Sequence, residues 1–131
     1  MIRGVEAILI GSENAKELAK FYREVVGLKQ TMEFEMGKDG GANGYAFEMK
    51  GCSIYINDHT EVKGKAKEPQ RVIFNLEVDD IEVEVAKLDK AKVKKIADIY
   101  HIEDYGMIAT FEDIDGNYFQ FVQVRANEES N

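Results

Sequence analysis

The 131-residue chain carries 25 acidic and 17 basic residues, which gives a formal net charge of −8. This charge argues against nucleic acid and anionic membranes as partners, because binding to either requires a basic protein surface. Its composition, 44% hydrophobic and 32% charged, is typical of a soluble globular protein, and the apolar run from Ala7 to Ile10 is too short for a signal peptide or membrane span. The single cysteine, Cys52, cannot form an internal disulfide, so we expect a reducing, cytoplasmic location.

The first half of the chain is predicted to fold as a strand, a helix and three further strands. Branched residues from Val5 to Ile10 favour a strand. Apolar residues then recur at helical spacing, with Asn14 placed to cap the first turn and Gly27 to end the helix. The next three predicted strands span residues 29–36, 44–49 and 52–57.

The second half repeats this order of elements. A strand over 72–78 leads into Asp79, which stands at capping-box spacing from Glu82 and starts the second predicted helix. Three strands follow over 94–99, 107–111 and 118–124. Landmarks such as Ile8 and Phe74 lie 66 residues apart, about half of the chain. The sequence therefore predicts two copies of one βαβββ module.

The fold class predicted from this duplication is α+β, with residues 1–131 forming a single domain of two pseudo-repeats. Residues 1–58 form the first βαβββ module, the polar segment 59–71 is a linker, residues 72–124 form the second module, and 125–131 are a tail. Neither module could bury its sheet face alone, so the two are expected to pair.

The last predicted hairpin shows how side chains divide between the sheet faces. Residues 115–117, Asp-Gly-Asn, favour a tight turn, after which alternation directs Phe119 and Phe121 to the core. Tyr118 and Gln120 then point to the other face, which is expected to carry polar groups.

Three segments resemble one known superfamily. The stretches "LAKFYREVVGLK" (18–29), "FNLEVDDIEVEVAKLDKAKVK" (74–94) and "ATFEDIDGNYFQFVQ" (109–123) are similar to the vicinal oxygen chelate superfamily of glyoxalase I, bleomycin resistance proteins and extradiol dioxygenases. The resemblance implies that the paired modules curl into an open, barrel-like mixed sheet around a cleft, and that the protein is a homodimer. Enzymes of this superfamily hold a divalent metal in the cleft through His, Glu or Gln on strands one, four, five and eight.

The four metal positions carried over from the resemblance hold poor ligands in this chain. They fall on Ala7, Tyr55, Ile73 and Gln120, although a register shifted by one residue would replace Ala7 by Glu6. A divalent ion needs anionic oxygen or imidazole donors, and one neutral amide gives weak affinity. We therefore expect no metal at the standard site and no cofactor.

Polar side chains on the predicted cleft face instead favour a binding function. Two-residue alternation brings polar tips from strands four, five and eight to that face, surrounded by apolar walls, which is typical of a small-molecule pocket. The predicted ligand-binding residues are Tyr55, Asn57, Asn75, Glu77, Tyr118 and Gln120.

Two other functions remain open from the sequence. One is a metal-dependent glyoxalase I-like lyase or a dioxygenase with displaced ligands, which could draw on His59, or on a cluster of His59, His101, Glu103 and Glu77. Whether the protein is an enzyme is thus undecided, and no catalytic residue is assigned. The other is a subunit that acts by association with a protein partner, suggested by the lysine-bearing linker.

Overall fold

A computed structural model of the protein describes residues 1–35 and 43–124. The chain divides into two compact units, Met1–Gly64 and Lys65–Asn131. Most of the predicted reversal over 37–44 and the predicted tail over 125–131 lie outside the described residues. The assignment of the whole chain to one domain stays a prediction.

The first unit contains four strands and one helical segment. Its sheet has the order β1-β4-β3-β2, with β1 parallel to β4 and the other pairs antiparallel. The helix α1 continues without a break into a π-helical stretch, Phe21–Val26. The elements are β1 (Ala7–Ser12), α1 (Ala15–Lys20), β2 (Met32–Glu35), β3 (Asn43–Phe47) and β4 (Ser53–Asp58).

The predicted ends of the first helix are confirmed. The Oδ1 atom of Asn14 accepts a hydrogen bond of 3.2 Å from the backbone N–H of Glu17, which satisfies one of the free donors of the first turn. Gly27 ends the helical stretch with a φ of 99°, a left-handed conformation that glycine adopts without steric cost. The helix packs its apolar side on the sheet and buries Leu18 and Tyr22.

The second unit repeats the architecture of the first. Its sheet has the order β5-β8-β7-β6, again with the first and last strands of the unit parallel. A short 3₁₀ turn, Pro69–Arg71, precedes the sheet. The elements are β5 (Phe74–Glu77), α2 (Ile81–Lys90), β6 (Lys95–Ile102), β7 (Gly106–Glu112) and β8 (Tyr118–Val124). The α+β class and the duplicated βαβββ order are confirmed, and each sheet keeps two edge strands rather than closing on itself.

Several predicted boundaries differ from the structure, among them the start of β2, which is Met32 rather than residue 29, and the start of β5, which is Phe74 rather than residue 72. The N-cap of α2 is Asp80, not Asp79, because Asp80 has extended backbone angles and its Oδ1 accepts a 3.3 Å hydrogen bond from the N–H of Val83. Strand β1 begins two residues later than predicted. Strand β6 runs on to Ile102, because register shifts along its pairing with β7 let the edge strand continue past irregular positions.

A side chain from the sheet holds the start of each helix. In the first unit, Oδ1 of Asp58 on β4 accepts a 2.8 Å hydrogen bond from the N–H of Ala15. In the second unit, Oε1 of Gln123 on β8 accepts a 2.9 Å bond from the N–H of Ile81. The two braces occupy corresponding strands, so the duplication extends to how the helix is fixed on the sheet.

In each unit, the helix of that unit packs on one face of the sheet, and the other face does not contact this helix. In the second unit the helix side is an aromatic core, in which the ring centroids of Phe111 and Phe119 and those of Phe119 and Phe121 are each 6.0 Å apart. The intervening residues of these strands point away from α2. Among the described residues, no helix combines the length and apolar character needed to cross a membrane.

Candidate functional site

The side chains predicted to bind a ligand lie on the sheet faces opposite the helices. In the second unit, Asn75 is in register with Gln120 and Glu77 is in register with Val122 along the parallel pair β5 and β8. The buried neighbours of these residues in sequence face α2, so the polar set points the other way. The predicted division between the faces of β8 is confirmed.

A chain of hydrogen bonds crosses this face, and Gln120 stands at its centre. Its Oε1 accepts a 2.7 Å bond from the hydroxyl of Thr110 on β7. Its Nε2 donates a 2.7 Å bond to Oδ1 of Asn75 on β5. Nδ2 of Asn75 in turn donates a 3.2 Å bond to the hydroxyl oxygen of Tyr105. Three strands and the β6–β7 turn are thus linked by four polar side chains, which we name the polar chain.

The polar chain runs from a buried end to an exposed end. Thr110 is 6% exposed, whereas Tyr105 is 37% exposed and Asn75 lies at the surface. Tyr105 precedes the first residue of β7, and its hydroxyl reaches across the sheet to β5, the edge strand on the far side. The phenol therefore lies over this face rather than beside it.

Sequence reasoning missed both ends of the polar chain. Thr110 could have been found, because antiparallel pairing of β7 with β8 places it directly opposite Gln120. Tyr105 carries no such signal, since it lies in a turn where Asp104 has a φ of 65° and alternation does not apply. Glu77 and Tyr118 share the face but are not members of the polar chain: Glu77 is exposed, and Tyr118 is half-buried opposite Glu112.

The two predicted residues of the first unit lie on β4, on the face opposite α1. Tyr55 packs edge-on against Phe34, with ring centroids 6.3 Å apart. Asn57 is only 7% exposed, and its Oδ1 is the one buried side-chain polar atom of the described residues that lacks a hydrogen-bond partner. A Cβ atom at Gly44 would stand 2.8 Å from that oxygen, so the absence of a side chain there lets Asn57 fit. Tyr55 and Asn57 are not members of the polar chain, which consists of residues of the second unit.

The residues at the expected metal positions do not form a set suited to a divalent ion. Both polar atoms of the Gln120 amide are engaged in hydrogen bonds, and Ala7 and Ile73 carry no donor atom in their side chains. Within residues 1–35 and 43–124, no group of three or more His, Cys, Asp and Glu side chains could hold a metal. The expectation of a metal-free site stays a prediction that rests on this donor chemistry.

The histidines and Glu6 occupy exposed positions. Nδ1 of His59 accepts a 3.1 Å hydrogen bond from the N–H of Glu61, which ties the ring to its own turn just after β4. His101 lies exposed on the edge strand β6 in register with Met107. Glu6 precedes β1, and its carbonyl accepts a bond from Ser53. Ala7, not Glu6, pairs with Ser53 at the start of β1, and the alternative in which Glu6 replaces Ala7 at the site stays a prediction.

Comparisons with known proteins agree with this architecture. The family model for the Glyoxalase/Bleomycin resistance protein/Dioxygenase superfamily matches residues 4–121. No curated protein sequence gives a significant match.

Among solved structures, a glyoxylase/bleomycin resistance protein/dioxygenase domain from Frankia sp. EAN1pec has a TM-score of 0.76 at 17% identity, covering 95% of this chain and 100% of its own. TnmS3, an antibiotic binding protein from Streptomyces sp. CB03234, has a TM-score of 0.72 at 21% identity, covering 95% and 98%. The trypanothione-dependent glyoxalase I of Leishmania major has a TM-score of 0.75 at 19% identity, covering 98% and 92%. At these identities the structural likeness establishes the fold alone.

Proposed function

Because the chain belongs to the Glyoxalase/Bleomycin resistance protein/Dioxygenase superfamily, we propose that it binds a small molecule at the polar chain, without a metal ion at the superfamily's standard position. The observation that carries the proposal is that both polar atoms of the Gln120 amide are hydrogen-bonded. An amide that accepts from Thr110 and donates to Asn75 is positioned as a hydrogen-bonding group, and its oxygen is already occupied.

The surroundings of Gln120 support a ligand site rather than a purely structural network. Asn75 and Tyr105 are exposed, so two members of the polar chain can exchange water for a ligand. Tyr118 and Glu77 add an aromatic ring and a carboxylate on the same face. A few directed polar groups beside aromatic surface are the usual composition of a small-ligand site. The antibiotic-binding neighbour TnmS3 shows that a protein of this fold can serve in that way.

The proposal extends to charge, location and assembly. A net charge of −8 and the exposed carboxylate of Glu77 favour neutral or cationic ligands over polyanions. We expect the protein to act in the cytoplasm, since its one cysteine needs no oxidising compartment. We also expect a homodimer, because each sheet leaves two edge strands with unpaired backbone groups.

Binding and metal content can be tested on the same sample. The protein is purified without chelator, its metal content is measured by elemental analysis, and a fragment library is screened by NMR with and without EDTA. We expect less than stoichiometric metal and ligand binding that EDTA does not change. Stoichiometric zinc, nickel, iron or manganese, with activity lost in EDTA, would refute the metal-free proposal and favour the alternative of a metal-dependent lyase or dioxygenase.

A matched pair of variants locates the site. Gln120→Leu removes the centre of the polar chain, whereas Gln70→Leu makes the same change at an exposed position in the turn before β5. We expect hits from the screen to lose binding to Gln120→Leu and keep it with Gln70→Leu. Equal binding by both variants would place the ligand elsewhere.

A further inference from the structure

The polar chain has a direction, set by which atom of each pair donates. The hydroxyl of Thr110 donates to Gln120, Gln120 donates to Asn75, and Asn75 donates to the oxygen of Tyr105. Reversing the direction would require both amides to turn over and both hydroxyls to exchange roles. The group that the polar chain presents at its exposed end therefore depends on its buried end.

Thr110 fixes the direction because it is buried. In the observed arrangement its hydroxyl proton has an acceptor, Oε1 of Gln120. In the reversed arrangement the hydroxyl would accept from Gln120, and its own proton would be left in the interior at a residue that is 6% exposed. A buried donor without an acceptor is costly, so the observed direction is preferred.

The consequence appears at Tyr105. Its oxygen is occupied by the bond from Asn75, and among the described residues no acceptor is found for its own proton. Tyr105 is 37% exposed, so a ligand can reach this side chain. The exposed end of the polar chain is thus a hydrogen-bond donor.

The charges nearby restrict what can accept this bond. Glu77 is exposed on the same strand and face as Asn75, and the net charge of the chain is −8, so an anionic acceptor is repelled. A cationic amine is attracted but has no lone pair to offer. Tyr100, which is 44% exposed and in register with Ile108, adds apolar surface on this side of the sheet.

We infer that the ligand is a neutral molecule with a carbonyl-type acceptor on a compact apolar body, and that Tyr105 selects it by donating a hydrogen bond. Thr110 acts as a positioning residue that keeps Tyr105 a donor. This inference rests on the proposed function, and it adds the ligand class and the residues that determine specificity.

Three fragments of one shape test the ligand class. 1-Indanone carries a carbonyl acceptor, indane carries no polar group, and 2-aminoindane is a cationic donor. Each is titrated into ¹⁵N-labelled protein while the side-chain amide signals of Gln120 and Asn75 are followed. We expect 1-indanone to bind about threefold to tenfold more tightly than indane, the range of one neutral hydrogen bond, and more tightly than 2-aminoindane, and we expect Tyr105→Phe to abolish the preference over indane.

The outcomes separate this inference from the proposed function. Equal affinities for the three fragments, or a preference for 1-indanone that survives in Tyr105→Phe, would overturn the inference and leave binding at this face intact. If none of the fragments perturbs the Gln120 and Asn75 signals, the proposed site itself is refuted, and the inference with it.

The role of Thr110 is tested by the ratio of the affinities for 1-indanone and indane, because a purely structural role would change both affinities together. Thr110→Val keeps the shape of the side chain but removes the hydroxyl, and Thr110→Ser retains it. We expect the preference for 1-indanone over indane to disappear in Thr110→Val and to be retained in Thr110→Ser. A full preference in a folded Thr110→Val, or its loss in Thr110→Ser, would show that Thr110 does not set the direction.

Discussion

The Nε2 atom of Gln120 on β8 lies 2.7 Å from Oδ1 of Asn75 on β5, and this hydrogen bond joins two parallel strands across the face opposite α2. Gln120 is half-buried and Asn75 is exposed, so the bond connects the interior of the sheet with its surface. An amide held in this way has a fixed orientation, which is what a hydrogen-bonding site for a ligand requires.

Gln120→Leu is expected to lower stability as well as binding. The substitution leaves the buried hydroxyl of Thr110 without its acceptor, which should reduce the free energy of unfolding by about 1–3 kcal/mol. Urea denaturation followed by circular dichroism measures the change, with Gln70→Leu as the control. A Gln120→Leu protein as stable as that control would show that the Thr110 bond contributes nothing to folding.

Asp58 is expected to stabilise the first unit by holding the start of α1. Its two carboxylate oxygens accept backbone hydrogen bonds from Ala15 (2.8 Å) and Asn43 (3.0 Å), so it fixes α1 and β3 together. Asp58→Ala should cost about 2–4 kcal/mol of unfolding free energy, and Asp58→Asn, which keeps one acceptor, less. The exposed residue Glu82 on α2 provides the control, Glu82→Ala. Equal midpoints for Asp58→Ala and that control would refute the role.

Gly106→Ala is expected to disturb the turn that carries Tyr105. Gly106 has a φ of 143°, and a Cβ atom there would collide with the carbonyl oxygen of Gln123 on the neighbouring strand. We predict a loss of about 2–5 kcal/mol from strain and overpacking, measured by thermal unfolding. Gly64 also has a positive φ, 68°, but a Cβ atom there would meet no other atom within 4 Å, so Gly64→Ala should cost only about 1–2 kcal/mol. Similar losses in both variants would argue that the collision is relieved cheaply.

Tyr45 is expected to make stability fall at alkaline pH. Burial raises the pKa of its phenol, and the charges of Glu33 and Asp58 raise this pKa further. The neutral form is therefore favoured in the folded state, so this contribution is fully present below the unfolded pKa of about 10 and is lost as pH rises through the folded pKa.

The measurement is the free energy of unfolding between pH 9 and 11, approximately, for the wild type, Tyr45→Phe and Tyr100→Phe, the last at an exposed tyrosine. Tyr45→Phe should flatten the alkaline decline, and Tyr100→Phe should not. An unchanged slope in Tyr45→Phe would mean that another group governs alkaline unfolding.

The fold could be predicted because its signals are local and repeated. Apolar spacing, the cap at Asn14 and the stop at Gly27 each act within one element, and the second half repeats the order. Alternation predicts that Asn75 on β5 and Gln120 on β8 share one sheet face, and the two residues are in register in the structure. Contacts between residues far apart in the sequence could not be predicted in this way. Tyr105 reaches β5 from a turn, and Asp58 reaches α1 across the sheet, and neither contact leaves a periodic trace in the sequence.

The most direct test of the central claim follows the side-chain amide of Gln120 while a paramagnetic metal is added. One molar equivalent of Mn²⁺ is titrated into ¹⁵N-labelled protein purified without chelator, and the NH₂ signals of Gln120 and the exposed Gln70 are compared. If Gln120 serves as a hydrogen-bonding group, the two signals should keep equal relative intensities. Selective broadening of the Gln120 signal, reversed by EDTA, would place a metal ion close to this amide and would contradict the account.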